Sequence, residues 1–99
     1  VIINFDPHVH TDYSSDGTVS IDKLVSISRR KGLNGVAITD HNTIEGALRL
    51  KDNTSDDFLI IVGEEIKTSE GEITGLFLKE SIPSGLTPEN TLDRIKSQG

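Results

Sequence analysis

The residues best suited to chemistry are the histidines, and the chain has only three: His8 and His10 in Asp6-Pro7-His8-Val9-His10, and His41 in Thr39-Asp40-His41. Both places follow short apolar runs rich in β-branched residues. Alternate side chains of a strand share a face, so His8 and His10 can reach one point. Imidazoles grouped with carboxylates form the donor set of a Zn²⁺, Mn²⁺ or Fe²⁺ site. There is no cysteine. Disulfides and thiolate ligands are thereby excluded, and any metal must be held by nitrogen and oxygen.

Each feature has a plainer reading when taken alone. An H-x-H pair can be two half-exposed histidines, and Asp40 or Asn42 can cap a helix. Ser15-Asp16-Gly17 is a turn sequence, and a lone Glu65 is an ordinary surface carboxylate. Their placement favours ligation. The first apolar run ends in His8 and His10, the second in Asp40 and His41, and the third in Gly63-Glu64-Glu65. In parallel α/β folds the C-terminal ends of the strands lie on one rim, where active sites form. Alternation along the third run points Glu64 away from that rim, which leaves Glu65 as the ligand.

The elements that must position these residues follow from periodicity and caps. Val1 to Asp6 reads as a strand, and Thr11 to Thr18 as a polar loop crowded with turn formers. Ser20 caps a helix whose apolar residues are Ile21, Leu24, Val25 and Ile27, with Arg29, Arg30 and Lys31 in its last turn and Gly32 as the stop. Val36 to Thr39 is a buried strand. Asn42 with Glu45 resembles a capping box and opens a helix to about Lys51 that buries Ile44, Ala47 and Leu48. Asn53 to Asp57 is a loop. Phe58 to Val62 is a continuous apolar strand of the kind found in covered parallel sheets. Ile66–Thr68 and Glu72–Leu78 flank Ser69-Glu70-Gly71 as a hairpin or arm. Ile82 to Leu86 is a loop, and Thr87 with Pro88 starts a last helix that buries Leu92 and Ile95. Strand, helix, strand, helix, strand is the order of βαβ units in a parallel sheet or barrel.

Composition bounds the alternatives. Ninety-nine residues suit one domain at most, and 33% hydrophobic with 4% aromatic content makes a thin, aliphatic core. Sixteen acids against ten bases, a net charge of −6, argue against a basic nucleic-acid surface. No apolar run approaches the ~20 residues of a membrane span, and no signal peptide is evident, so a cytoplasmic location is the default. The strand-like start and helical end suggest a piece of a longer chain. An open sheet edge would then invite self-association or packing against a partner.

With those elements in place, Asp6-x-His8-x-His10-Thr11, Ser15-Asp16-Gly17, Thr39-Asp40-His41 and Gly63-x-Glu65-Ile66 together resemble the PHP family, the polymerase and histidinol phosphatase domains. The resemblance implies that residues 1–99 are the N-terminal part of one PHP domain. Its fold would be α/β: the first three β/α units of a distorted (β/α)7 TIM-like barrel, plus a hairpin arm and a final helix. It implies up to three divalent ions (Zn²⁺, Mn²⁺ or Fe²⁺) at the C-terminal rim. His8 and His10 would hold one ion, Glu65 would bridge it to a second, and Asp16 and His41 would serve a third. Asp6 and Asp40 would be the supporting carboxylates of the catalytic site, each accepting an imidazole N–H. The activity implied is hydrolysis of phosphate esters, with a small phosphorylated substrate, nucleotides included. The same resemblance admits a metal-binding module without turnover, or a nuclease or polymerase-associated domain. Two departures stand out. Ser14 and Ser15 lengthen the first loop by a residue, and no histidine follows His41, although the family carries ligands further on. Many members have a histidine in the stretch matching Ile73-Thr74-Gly75.

Overall fold

A computed structural model of the chain describes residues 4–13, 20–55 and 57–98. Asp16 and the Ser15-Asp16-Gly17 sequence expected to form a turn lie outside the described residues. Among the described residues seven elements follow in order: β1 (Phe5–Val9), α1 (Ile21–Arg30), β2 (Gly35–Ile38), α2 (Glu45–Asp52), β3 (Leu59–Thr68), β4 (Gly71–Leu76) and α3 (Pro88–Ser97). They form an α/β fold around a curled four-stranded sheet in the order β1-β2-β3-β4. β1 and β3 both pair with β2 in parallel, and β4 pairs antiparallel with β3. The sheet is thus parallel where helices connect its strands and antiparallel where a tight turn does.

β3 is longer than its apolar run predicts because it serves two partners. Leu59 to Val62 pair with β2, and Gly63 to Thr68 continue as the first arm of the hairpin with β4. β2 is buried along its whole length. Val36, Ile38, Ile60, Val62 and Ile66 form one side of the core, closed by Leu24, Ala47, Leu50 and Phe58. β1 lies at the edge of this sheet, where Pro7, which has no N–H to give, is tolerated. The β1–β2 register shifts between Asp6 and Val9, beside that proline.

The helices show where local signals suffice and where they do not. Ser20 caps α1 as its sequence indicates, its side chain accepting the Asp22 N–H at 3.2 Å. Thr87 does the same for α3 with Asn90. α2 departs from expectation. It begins at Glu45 with no side-chain cap, and Asn42 is not part of it. Asn42 instead takes a left-handed backbone conformation, φ 56°, and its Oδ1 accepts the Lys67 N–H at 3.1 Å. A partner distant in sequence outcompetes the local capping box. The buried face of α2 is correspondingly Ala47 and Leu50, whereas Leu48 is 40% exposed. In α3 the buried residue is Thr91, Ile95 packs partly against the core, and Leu92 is 44% exposed.

Gly46 sits where α2 packs against the segments that follow β1 and β2. A Cβ there would lie 2.7 Å from Thr11 Oγ1 and 2.9 Å from Asp40 Oδ2, both buried. Gly→Ala inside a helix ordinarily stabilises by about 0.5–1 kcal/mol. Here the sign reverses: Gly46→Ala is expected to cost about 1–3 kcal/mol, because the atoms it meets are held by hydrogen bonds. Urea denaturation of the two proteins checks this, and a more stable variant would refute the close approach.

Candidate metal centre

The strand ends deliver their side chains by strict alternation. On β3, Glu64 and Ile66 face the core while Glu65 and Lys67 face the other way. Glu64 is fully buried; its Oε1 accepts the Ile82 N–H at 2.7 Å and its Oε2 the Ser81 hydroxyl at 2.8 Å. Burial pushes the Glu64 carboxyl above its usual range, partly offset by those two hydrogen bonds. A carboxyl raised in the folded state weighs against folding at neutral pH, and that cost fades as pH falls through its folded value. Glu64 therefore anchors the segment after β4 and leaves the rim to Glu65.

All three imidazoles converge on Glu65. His8 Nε2 lies 3.4 Å from Glu65 Oε1, and His10 Nε2 lies 3.3 Å from Glu65 Oε2. His41 Nδ1 lies 2.9 Å from the same Oε2. The rings are neighbours, with centroids 4.9 Å apart for His8 and His10 and 4.6 Å apart for His10 and His41. Glu65 itself is largely shielded, its side chain 16% exposed. The structure thus brings four of the sequence-predicted residues, His8, His10, His41 and Glu65, to one point.

The backbone behind this point is tied down. The Glu65 N–H donates to the Asp40 carbonyl at 2.9 Å, and the Asn42 N–H donates to the Glu65 carbonyl at 3.1 Å. His41 and Glu65 form an isolated parallel bridge, which extends β2–β3 pairing past the end of β2. Asn42 grips β3 on both sides: through its backbone to Glu65 and through its side chain to Lys67. Asparagine tolerates the left-handed conformation this requires.

The two carboxylates expected to support imidazoles are engaged differently. Asp40 is fully buried, and both its oxygens hold Thr11: Oδ1 accepts the Thr11 N–H, and Oδ2 accepts the Thr11 hydroxyl. It fixes the chain immediately after His10 rather than touching the ring. Asp6 Oδ1 accepts the backbone N–H of His8 at 3.1 Å, so its grip is on the strand. The side chain beside an imidazole is Thr39, whose Oγ1 lies 3.2 Å from His8 Nδ1. With Nδ1–H as the donor in that contact, Nε2, the nitrogen facing Glu65, would present its lone pair.

One contributor escaped sequence reasoning. Glu72, the second residue of β4, lies with its Oε2 3.1 Å from His41 Nδ1. Its signal is the hairpin register, which pairs Lys67 with Glu72 and Glu65 with Thr74, so that all four share one face. Two overlapping donor sets result, His8–His10–Glu65 and His41–Glu65–Glu72, each with its ligand atoms within 4.8 Å of one another.

These sets fit divalent cations. His41 Nδ1 faces two carboxylate oxygens, yet one ring nitrogen carries at most one N–H. Two like charges held this close are costly unless a positive charge lies between them. An ion accepting lone pairs from nitrogen and oxygen together satisfies every atom of the cluster. A cleft of about 540 Å³ opens beside it, lined by His41, Asn42, Lys67, Thr68, Ser69, Gly71 and Glu72.

Comparison with known proteins identifies the family and the fold. The PHP domain model matches residues 6–89. The uncharacterized protein MJ1587 of Methanocaldococcus jannaschii is 43% identical over 105 positions, covering 95% of this chain and 61% of that protein. A second protein of that organism, MJ0417, is 44% identical over 63 positions, 64% of this chain and 22% of the other. The chain thus spans less than two thirds of the curated relatives it matches. Among solved structures, a candidate metal-dependent phosphoesterase from Bifidobacterium adolescentis superposes with a TM-score of 0.62 at 32% identity, over 77% of this chain and 27% of that one. An amidohydrolase from Chromobacterium violaceum, bound to sulfate and without metal, gives 0.59 at 19% identity over 95% of this chain and 32% of the other. That second likeness concerns the fold alone.

Proposed function

Because the chain belongs to the PHP family of domains, we propose that it carries the ligand-bearing rim of a metal-dependent phosphoesterase acting on a small phosphorylated substrate. The observation that carries this reading is the convergence of His8, His10 and His41 on the single carboxylate of Glu65. His8, His10 and Glu65 would hold one ion; His41, expected beside Asp16 at a third ion, lies with Glu65 and Glu72 in a second donor set that would hold another. Asp16 joins them on the strength of the family motif. A divalent ion in such a site supplies Lewis acidity, which makes water a nucleophile near neutral pH and offsets the charge on phosphate oxygens.

The residues of the chain do the rest. Thr39 holds the His8 ring through Nδ1, while Asp6 and Asp40 hold the backbone on either side of the H-x-H pair. Asn42 keeps His41 against β3. The cleft beside His41 gives the substrate a place to lie, and Lys67 adds a cation to its lining in a chain otherwise dominated by acids. Imidazole and carboxylate donors accept Zn²⁺, Mn²⁺ and Fe²⁺ alike.

A second reading, which the same family membership admits, is a metal-holding module without turnover. One experiment separates the two. The purified protein is analysed for bound metal, then assayed for release of phosphate from small phosphomonoesters before and after chelation. Phosphatase activity lost on chelation and restored by Mn²⁺, Zn²⁺ or Fe²⁺ is the expected result. Bound metal without hydrolysis would favour the module, and absence of metal binding would overturn both.

A further inference from the structure

We propose that Glu72 is a metal ligand, and that its carboxylate makes the second position of the centre one suited to an oxygen-preferring ion such as Mn²⁺, beside an imidazole-rich position suited to Zn²⁺. The proposal rests on the reading of the rim as a metal centre and adds a ligand and a division of labour to it.

Three observations carry it. First, Glu72 makes an unforced choice. Its cross-strand partner on the same face is Lys67, the obvious ion-pair partner for an exposed glutamate, yet its carboxylate lies against His41 Nδ1 at 3.1 Å. Second, that nitrogen is already 2.9 Å from Glu65 Oε2. Two carboxylates competing for one imidazole nitrogen gain little as hydrogen-bond acceptors, but they form a natural three-donor set around a cation. Third, the hairpin brings the residue there by register. Ser69 and Glu70 make the turn, Gly71 adopts φ 119°, and Glu72 follows directly opposite Lys67. Moving the register by one residue would turn Glu72 to the core face.

The division of labour follows from donor type. His8, His10 and Glu65 offer two imidazole nitrogens and one carboxylate; His41, Glu65 and Glu72 offer one nitrogen and two carboxylates. Imidazole suits Zn²⁺, whereas carboxylate oxygen suits Mn²⁺ and Mg²⁺. The second position also gathers more negative charge, which favours a hard divalent ion over a borderline one. The margin by which Zn²⁺ outcompetes Mn²⁺ is therefore narrower at the second position than at the first.

The test reads metal binding, not turnover. The chain is loaded with stoichiometric Zn²⁺ and titrated with Mn²⁺, with the free ion followed by electron paramagnetic resonance. Native protein should still bind Mn²⁺. Glu72→Gln should weaken that binding by about 10-fold or more, in line with the loss expected for disrupting a metal site. Glu72→His should bind Zn²⁺ at the second position and exclude Mn²⁺ there. The Glu72 side chain is 47% exposed, so neither variant should disturb folding, which circular dichroism verifies. Unchanged Mn²⁺ affinity in Glu72→Gln, alongside Zn²⁺ binding that His8→Ala abolishes, would overturn the role of Glu72 while leaving the first position standing. A native chain that binds neither ion would overturn the metal centre as a whole.

Discussion

Glu65→Gln is expected to weaken metal binding at both positions together, by about 100-fold or more, equivalent to about 2.7 kcal/mol. No other described side chain faces all three imidazoles. Glutamine keeps the size and one carbonyl oxygen but loses the negative charge and one of the two acceptor oxygens that face His8 on one side and His10 and His41 on the other. The control is the adjacent residue. Glu64→Gln changes the same chemistry one position away, but Glu64 faces Ile82 and Ser81 in the interior, so metal affinity should be unchanged. Isothermal titration of both variants with Zn²⁺ and Mn²⁺ makes the comparison. Equal losses in the two variants would mean that overall charge, rather than the shared carboxylate, governs binding.

The second large effect is on stability. Asp40→Ala is expected to destabilise the fold by about 3 kcal/mol, because it strands the buried N–H and hydroxyl of Thr11 in one step. Asp40→Asn should cost roughly half as much, since its amide oxygen can still accept the Thr11 N–H. Thr11 follows His10 and Asp40 precedes His41, so the same substitution should also loosen both ligands. Chemical denaturation with and without Zn²⁺ distinguishes the parts: the metal-induced gain in stability should shrink in Asp40→Ala along with the baseline. A variant as stable as the native chain would show that the Asp40–Thr11 contacts contribute nothing net.

Much of this protein was legible before any coordinates. The strand, helix, strand, helix, strand order, the caps at Ser20 and Thr87 and the stop at Gly32 depend on residues within about four positions of one another, and the structure forms them. So does the parity of Glu64 and Glu65, because alternation is a local property of any strand. The histidine motifs and their order along the chain pointed to the rim for the same reason: each is a short segment at the end of an apolar run. What local rules misjudged were choices settled by distant partners. Asn42 left its capping box for the Lys67 N–H, 25 residues away. Leu48 and Leu92 lost the inward positions to Leu50 and Thr91, since the face a helix buries is decided by what it docks against. Asp40 found Thr11 rather than an imidazole, across 29 residues. Glu72 stands beside the stretch where many family members carry a histidine, but only the β3–β4 register carries it to His41. The sequence by itself determined which elements form and which donor atoms the chain possesses. Tertiary structure alone decided which donors meet, because strand pairing and helix docking join residues whose separation along the chain carries no local signal.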